Sequence, residues 1–352
     1  MGITDRILGF ESATPEGLKL AKTIAILISC FSISFQISST FYFVFIAEAL
    51  GGGSWELGIA LIGLLVVVRL VVQTILDYPT GALGDWIGQR WVIASALVCY
   101  GIAFYLTSLV TVTTPFIVFL AIYVLFGVGA SQESGAFNAW FDNNYRVAMP
   151  HDKDRKQYGA FWGRVGMFWQ IVATLVLIPG SVLAMLTGRS WIFQLQTIFS
   201  FVLAVFVLFT IKDLPGVRAE KKQQSLREYG GLLVDGFKFL VSSKFVALTI
   251  LGEVIMISTG ILWGEIVLWS LYFAYLLNEV AVSTFRTLIF VPDAMLRERS
   301  GFWSKRFEPG KWIPRFRFLQ FCGFSFYLLL TAITVFFPAP LESTLLITVP
   351  FP

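Results

Sequence analysis

The stretch Asp77 to Arg90, DYPTGALGDWIGQR, places a polar hairpin between two long apolar runs, and the rest of the chain is read outward from it. In the hydrocarbon core of a bilayer a chain crosses as a helix that satisfies its own backbone hydrogen bonds, so a polar interruption marks where it surfaces. The residue types predict a tight turn between packed helix ends. Gly81, Gly84 and Gly88 allow close backbone approach, and Pro79 is expected to fix a helix end. Asp85 supplies a fixed negative charge and Arg90 a positive one at the mouth of the next span.

Composition sets the class. Over 352 residues, 57% are hydrophobic, 14% are charged and the mean hydropathy is +0.77, which excludes a pair of soluble domains and defines a polytopic membrane protein. The formal charge of +4 does not indicate nucleic acid, because the bases form no stripe and fall in clusters between apolar runs. Cys30, Cys99 and Cys322 are isolated within apolar runs, far from the single histidine, His151. They read as small buried hydrophobes, and no disulfide framework, metal site or cofactor is expected. Asp5, Arg6, Glu11, Glu16 and Lys19 interrupt the first twenty residues, unlike a cleavable signal.

A spanning helix needs about 20 mostly apolar residues. Such runs lie near 22–48, 56–80, 91–111, 115–140, 158–185 and 190–211, then near 244–270, 275–296 and 317–337, with a further apolar run starting at 344. The pattern predicts an all-α membrane protein with about nine full crossings and a partial tenth. Bases cluster in alternate connections: Arg6, Lys19 and Lys22; Arg90; Arg146 to Lys156; Lys212 to Arg227; and Arg297 to Arg317. The intervening connections contain only Arg189. Short loops rich in Lys and Arg stay in the cytoplasm, so a cytoplasmic N-terminus in a plasma or inner membrane is expected.

A mixed-charge linker at 212–241 separates residues 1–211, a six-span bundle, from residues 242–352, an incomplete second bundle. A shift of 213 residues places Pro79 over Pro292, Asp85 over Glu298 and Gly88 over Gly301, each ahead of a base-rich connection. The chain thus reads as two parallel repeats.

The spacing Gly81-x-x-x-Asp85-x-x-Gly88-x-Arg90 resembles the loop signature between the second and third helices of the major facilitator superfamily of transporters, with Trp86 and Gln89 in places where that family usually carries bases. Phe126 to Asn138, FGVGASQESGAFN, resembles the family's glycine-rich fourth helix, and Tyr123 stands where many proton-coupled members have an arginine. The resemblance implies two helical bundles rocking about a central site, with Gly81, Asp85, Gly88 and Arg90 as a cytoplasmic gate. It implies a small-molecule solute as partner, moved with a proton or by facilitated diffusion. Family members generally have twelve spans, so the resemblance further implies missing C-terminal helices or a homo-oligomer that completes the second bundle.

Charges within the spans point to the site, since an ionisable side chain at the bilayer centre costs about 2.5–3.5 kcal/mol and must face protein or water. Arg69, Glu133, Glu253 and Arg286 lie well inside apolar runs. Arg69 and Arg286 are expected to bind an anion or gate the path, and Glu133 or Glu253 to carry a proton. The alternative is that these charges only hold helices in register. Gln36, Asn138 and Gln170, with Trp169, Trp263 and Tyr272, are candidates to orient a ligand in a mostly apolar pocket. Asp142 and Arg164 are expected to pair with the loop motif, and Glu48 and Glu265 to reach the headgroups. Two other readings stand beside transport: a non-transporting remnant or accessory subunit, and a lipid-modifying membrane enzyme. A single loop histidine argues against the enzyme.

Overall fold

A computed structural model of the chain describes residues 7–10, 12–217, 238–239, 242–264, 278–303 and 306–336, with single positions 268, 272, 273 and 276. Every regular element among the described residues is helical. They are α1 (Pro15–Gln36), α2 (Tyr42–Leu50), α3 (Trp55–Ile87), α4 (Gln89–Ser108), α5 (Phe116–Ala148), α6 (Lys156–Thr187), α7 (Arg189–Thr210), α8 (Lys244–Leu262), α9 (Glu279–Trp303) and α10 (Pro309–Phe336). Seven of these, α1 and α3 to α8, contain a stretch long and apolar enough to cross a membrane. The nine expected crossings are met only in part on this measure. Arg286, Asp293, Arg297, Glu298 and Arg299 lower the hydropathy of α9, and Lys311, Arg315 and Arg317 that of α10. Most of the linker 212–241, the last run at 344–352 and Glu265 lie outside the described residues.

The hairpin differs from its sequence reading. Pro79 does not end a helix: α3 continues through it to Ile87, and the turn is the single residue Gly88, whose φ of 100° suits glycine. Proline removes one intrahelical donor, a loss that neighbouring helices and hydroxyls can offset inside a membrane. Thr80 does so here. Its hydroxyl is 2.8 Å from the carbonyl of Leu76 and 2.8 Å from that of Ser131, tying α3 to α5 just after the proline.

The first span also departs from a single rod. It breaks between Gln36 and Tyr42, where Ser38, Ser39 and Thr40 stand in sequence. Serine and threonine hydroxyls compete with the helix ladder for backbone groups, and Ser39 donates to the carbonyl of Gln36 at 2.9 Å. Gly180 of α6 seats against this break. A Cβ there would overlap the backbone carbonyl of Ile37, so Gly180→Ala forces α6 away from the α1–α2 corner. Overpacking of a tight interior contact costs about 1–3 kcal/mol. The variant should therefore unfold at a lower temperature in detergent, with Gly159→Ala, where a Cβ meets open space, as an unaffected control.

Around that corner the first seven helices form one packed group: α3 and α4 lie against α5, α4 also against α7, and α1 against α6. The main described contact with the later helices is α6 on α9. At the base-rich end, the segment before α1 is fastened down. Phe10 stacks between Tyr145 and Phe161, and Thr14 caps α1 by accepting from Gly17 N while donating to the Ala148 carbonyl at 2.7 Å. Asp152 anchors the α5–α6 connection: burial pushes its carboxyl up, but bonds from the Tyr145 hydroxyl and from the first N–H groups of α6 outweigh that and hold it below the usual carboxylate range. Of the cysteines, Cys30 and Cys99 are partly buried, whereas Cys322 is exposed on α10 and is not the buried hydrophobe its apolar run predicts. His151 is exposed, with its ring nitrogen 3.1 Å from the carbonyl of Ser12.

Candidate functional site

The break in the first span opens onto a cavity of about 540 Å³ between the two groups of helices. Gln36, Ser38, Ser39 and Tyr42 line it from the α1–α2 corner, Arg69 from α3, and Tyr123 and Phe126 from α5. Ile257, Gly260 and Trp263 face them from α8 and the residue that follows it, and Arg286 and Phe290 from α9. A discontinuous helix at mid-span leaves polar backbone beside a cavity, where it can meet a ligand.

Close packing sets the height of Arg69. A Cβ on Gly127 of α5 would stand 2.7 Å from the carbonyl oxygen of Arg69, so only glycine lets α5 press against α3 at that level. Arg286 is held from the other side. It is buried, 4% exposed, with its guanidinium carbon 4.1 Å from the Phe290 ring centre and 5.9 Å from that of Trp263. Aromatic faces stabilise a guanidinium in a dry site and fix its plane. Arg69 and Arg286 are the charged residues among the described lining, set in a largely aromatic wall.

The other sequence candidates lie elsewhere. Glu133 sits behind the wall, between α4 and α5, accepting a hydrogen bond from the Tyr100 hydroxyl at 3.2 Å. The ring of Tyr100 packs edge-on against Phe35, which does line the cavity. Glu253 is exposed on α8 and pairs with Arg317 of α10 at 2.6 Å. Asn138 is exposed and donates to the carbonyl of Ser134. Gln170 is buried, and Tyr272 packs at a tilt against Phe285; neither lines the cavity. The structure thus brings together Gln36, Arg69, Trp263 and Arg286 in one cavity, and neither Glu133 nor Glu253 lines it. Ser38, Ser39 and Tyr42 were missed by the sequence reading. The run Ser38-Ser39-Thr40 within an apolar span was the available signal.

Two ion-pair clusters flank the cavity. At the base-rich end Arg164 of α6 meets Glu298 of α9 at 3.1 Å. Arg164 was expected to pair with the Asp85 loop; its partner is instead the residue that the 213-residue shift sets over Asp85. Asp142 pairs with Arg146 and Arg155 of its own connection, not with that loop. Of Asp85 only the backbone is described. Gly81 is exposed in the last turns of α3, and Gly88 and Arg90 border a small cleft with residues 211–216. At the opposite end Arg189, the first residue of α7, donates through Nη1 to Glu48 of α2 and through Nε to Glu279 of α9. Glu48 is thus an internal ion-pair partner, not a headgroup contact.

A multi-span helical protein with a solute-sized cavity between two helical groups is built as a membrane carrier. The family model described as Major Facilitator Superfamily matches residues 24–351, and the chain belongs to that superfamily. Its members carry small solutes across membranes and are not enzymes. Comparison with curated proteins and with solved structures finds no match.

Proposed function

We propose that the chain transports a small organic anion by alternating access, with Arg69 and Arg286 binding the anionic group and the surrounding aromatic residues packing its apolar part. The observation that carries this reading is the presence of both guanidinium groups in one 540 Å³ cavity, contributed by different helical groups. An anion held between them favours their approach, and its release lets them separate. In a site poor in water such charges act more strongly than at a surface.

In this reading residues 1–211 and 242–352 are the two moving bundles and 212–241 the strap between them. Alternating clusters of bases support a cytoplasmic N-terminus and a cytoplasmic base-rich end in the cell membrane. Arg164–Glu298 then closes the inner side and Arg189–Glu48–Glu279 the outer side. The gate motif Gly81, Asp85, Gly88 and Arg90 adjoins the inner closure. Glu133 is the candidate proton carrier, through Tyr100 at the back of the wall; Glu253, paired with Arg317, is a helix tie between α8 and α10.

Proteoliposomes loaded with buffer and offered labelled aromatic carboxylates, neutral sugars and organic cations test the proposal. Concentrative or equilibrative uptake of the carboxylates alone is expected. Uptake of cations in preference to anions would overturn it. A pH gradient that changes the accumulation level, abolished by Glu133→Gln, would add proton coupling.

A further inference from the structure

A second cavity of about 590 Å³, separate from the central one, lies in the seam where α6 packs on α9. Its walls are apolar: Met167, Ile171 and Leu175 on α6, Val291, Ala294 and Met295 on α9. Thr174 adds one hydroxyl to the α6 wall, already donating to the Gln170 carbonyl at 2.8 Å, and the charged groups enter at one end, where Glu298 and Arg299 stand with Trp303. From Val291 to Trp303 the helix rises about 18 Å, at 1.5 Å per residue. One leaflet of a bilayer core about 30 Å thick is about 15 Å deep. The groove therefore runs the depth of a single leaflet, with its charged end at the base-rich surface.

Charge at that end is unbalanced. Between Asp293 and Arg317 the sequence has seven bases and three acids. Glu298 is already engaged, accepting from Arg164 through Oε1 and from Arg299 through Oε2, and Asp293 pairs with Arg297. Arg299 is 64% exposed at its side chain, so it can turn toward a ligand outside the seam. Beyond it, Trp303 stacks on Phe307, Phe307 on Trp312 at 4.3 Å, and Arg315 lies over the Trp312 ring. Stacked aromatics with interleaved bases mark the headgroup level of a membrane.

We infer that this seam is a binding site for an anionic phospholipid, with one acyl chain in the apolar groove and the phosphate at Arg299. Basic pockets between helices at such a surface select anionic headgroups, and apolar walls alone would accept any lipid. The inference concerns a different cavity from the transport reading, although Glu298 at its charged end is also the partner of Arg164 in the inner closure.

Native mass spectrometry of the full chain in detergent, after equilibration with phosphatidylglycerol or phosphatidylcholine of the same acyl length, is the test. Retention of phosphatidylglycerol should exceed that of phosphatidylcholine about fivefold, the factor contributed by about one base near a charged headgroup. Arg299→Gln should reduce that preference to near unity. Val291→Trp, at a half-exposed position on the groove wall, should lower retention of phosphatidylglycerol by filling the chain site. Equal retention of the two lipids by the unmodified chain would overturn the inference, as would unchanged phosphatidylglycerol retention in both variants. No flux measurement enters, so an inactive transporter could still pass this test and an active one fail it.

Discussion

Arg286→Gln should raise the KM for an anionic substrate by about 10- to 100-fold in reconstituted vesicles, and Arg69→Gln by a smaller factor within that range. Hydrogen bonds to charged groups contribute about 1.5–3 kcal/mol each, and a decade in affinity corresponds to about 1.4 kcal/mol. Arg286 is expected to show the larger effect because it is 4% exposed, whereas Arg69 is only partly buried. Water can replace less of what the Arg286 guanidinium supplies. The lysine variants separate charge from shape. Lysine keeps the positive charge but loses the planar fork that grips a carboxylate through two parallel bonds and sits over the Phe290 ring. Arg286→Lys should therefore recover part of the affinity and not all of it. A binding role predicts a change in KM with the maximal rate largely kept, while a charge that only holds helices predicts lost expression or a lowered melting temperature. Unaltered KM in both Gln variants, with protein of normal stability, would remove the anion site.

The ease of reading this site from sequence differed from residue to residue, for physical reasons. Arg69 and Arg286 were legible because a charge inside an apolar run has so high a cost that it must meet protein or water. Which of the four intramembrane charges share a cavity was not. Spans that are apolar on all sides carry little periodicity to show which face turns inward, so Glu253 could not be told from Arg286 by depth alone. The Asp77–Arg90 interruption correctly marked the junction of two helices. Its internal geometry was misread because proline was given the helix-ending role it has in water, whereas packing on α5 and the Thr80 hydroxyl carry α3 through it. The break at Ser38 was hidden for the opposite reason: the hydropathy of 22–48 is continuous, and the interruption comes from three hydroxyls and from the seat that Gly180 provides. The 213-residue repeat identified Glu298 as a counterpart of Asp85, but only the fold shows it facing Arg164.

Labelling of a cysteine in the cavity should rise about 5- to 30-fold when Arg189 is replaced by Ala. The guanidinium bridges carboxylates of two elements, Glu48 on α2 and Glu279 on α9, whose side chains are 33% and 11% exposed. Removing it leaves two like charges facing each other across the mouth of the cavity. Deleting one partner of a buried ion pair costs about 3–5 kcal/mol. Exposure of a tenth to a third admits water and screening, which reduces the bias toward the open form to about 1–2 kcal/mol. Ser39→Cys, in a chain whose three native cysteines are changed to Ala, provides the reporter, since Ser39 lines the cavity beside the α1–α2 break. A membrane-impermeant maleimide added outside sealed cells reads its access. Arg164→Ala loosens the other closure, Glu298 losing its partner across the seam, and should slow the same labelling by favouring the inward-open form. The opposed signs are what a carrier with alternating closures requires: an equal rise in both variants would indicate a loosened fold, and no change in either would show that neither ion pair controls access to the cavity.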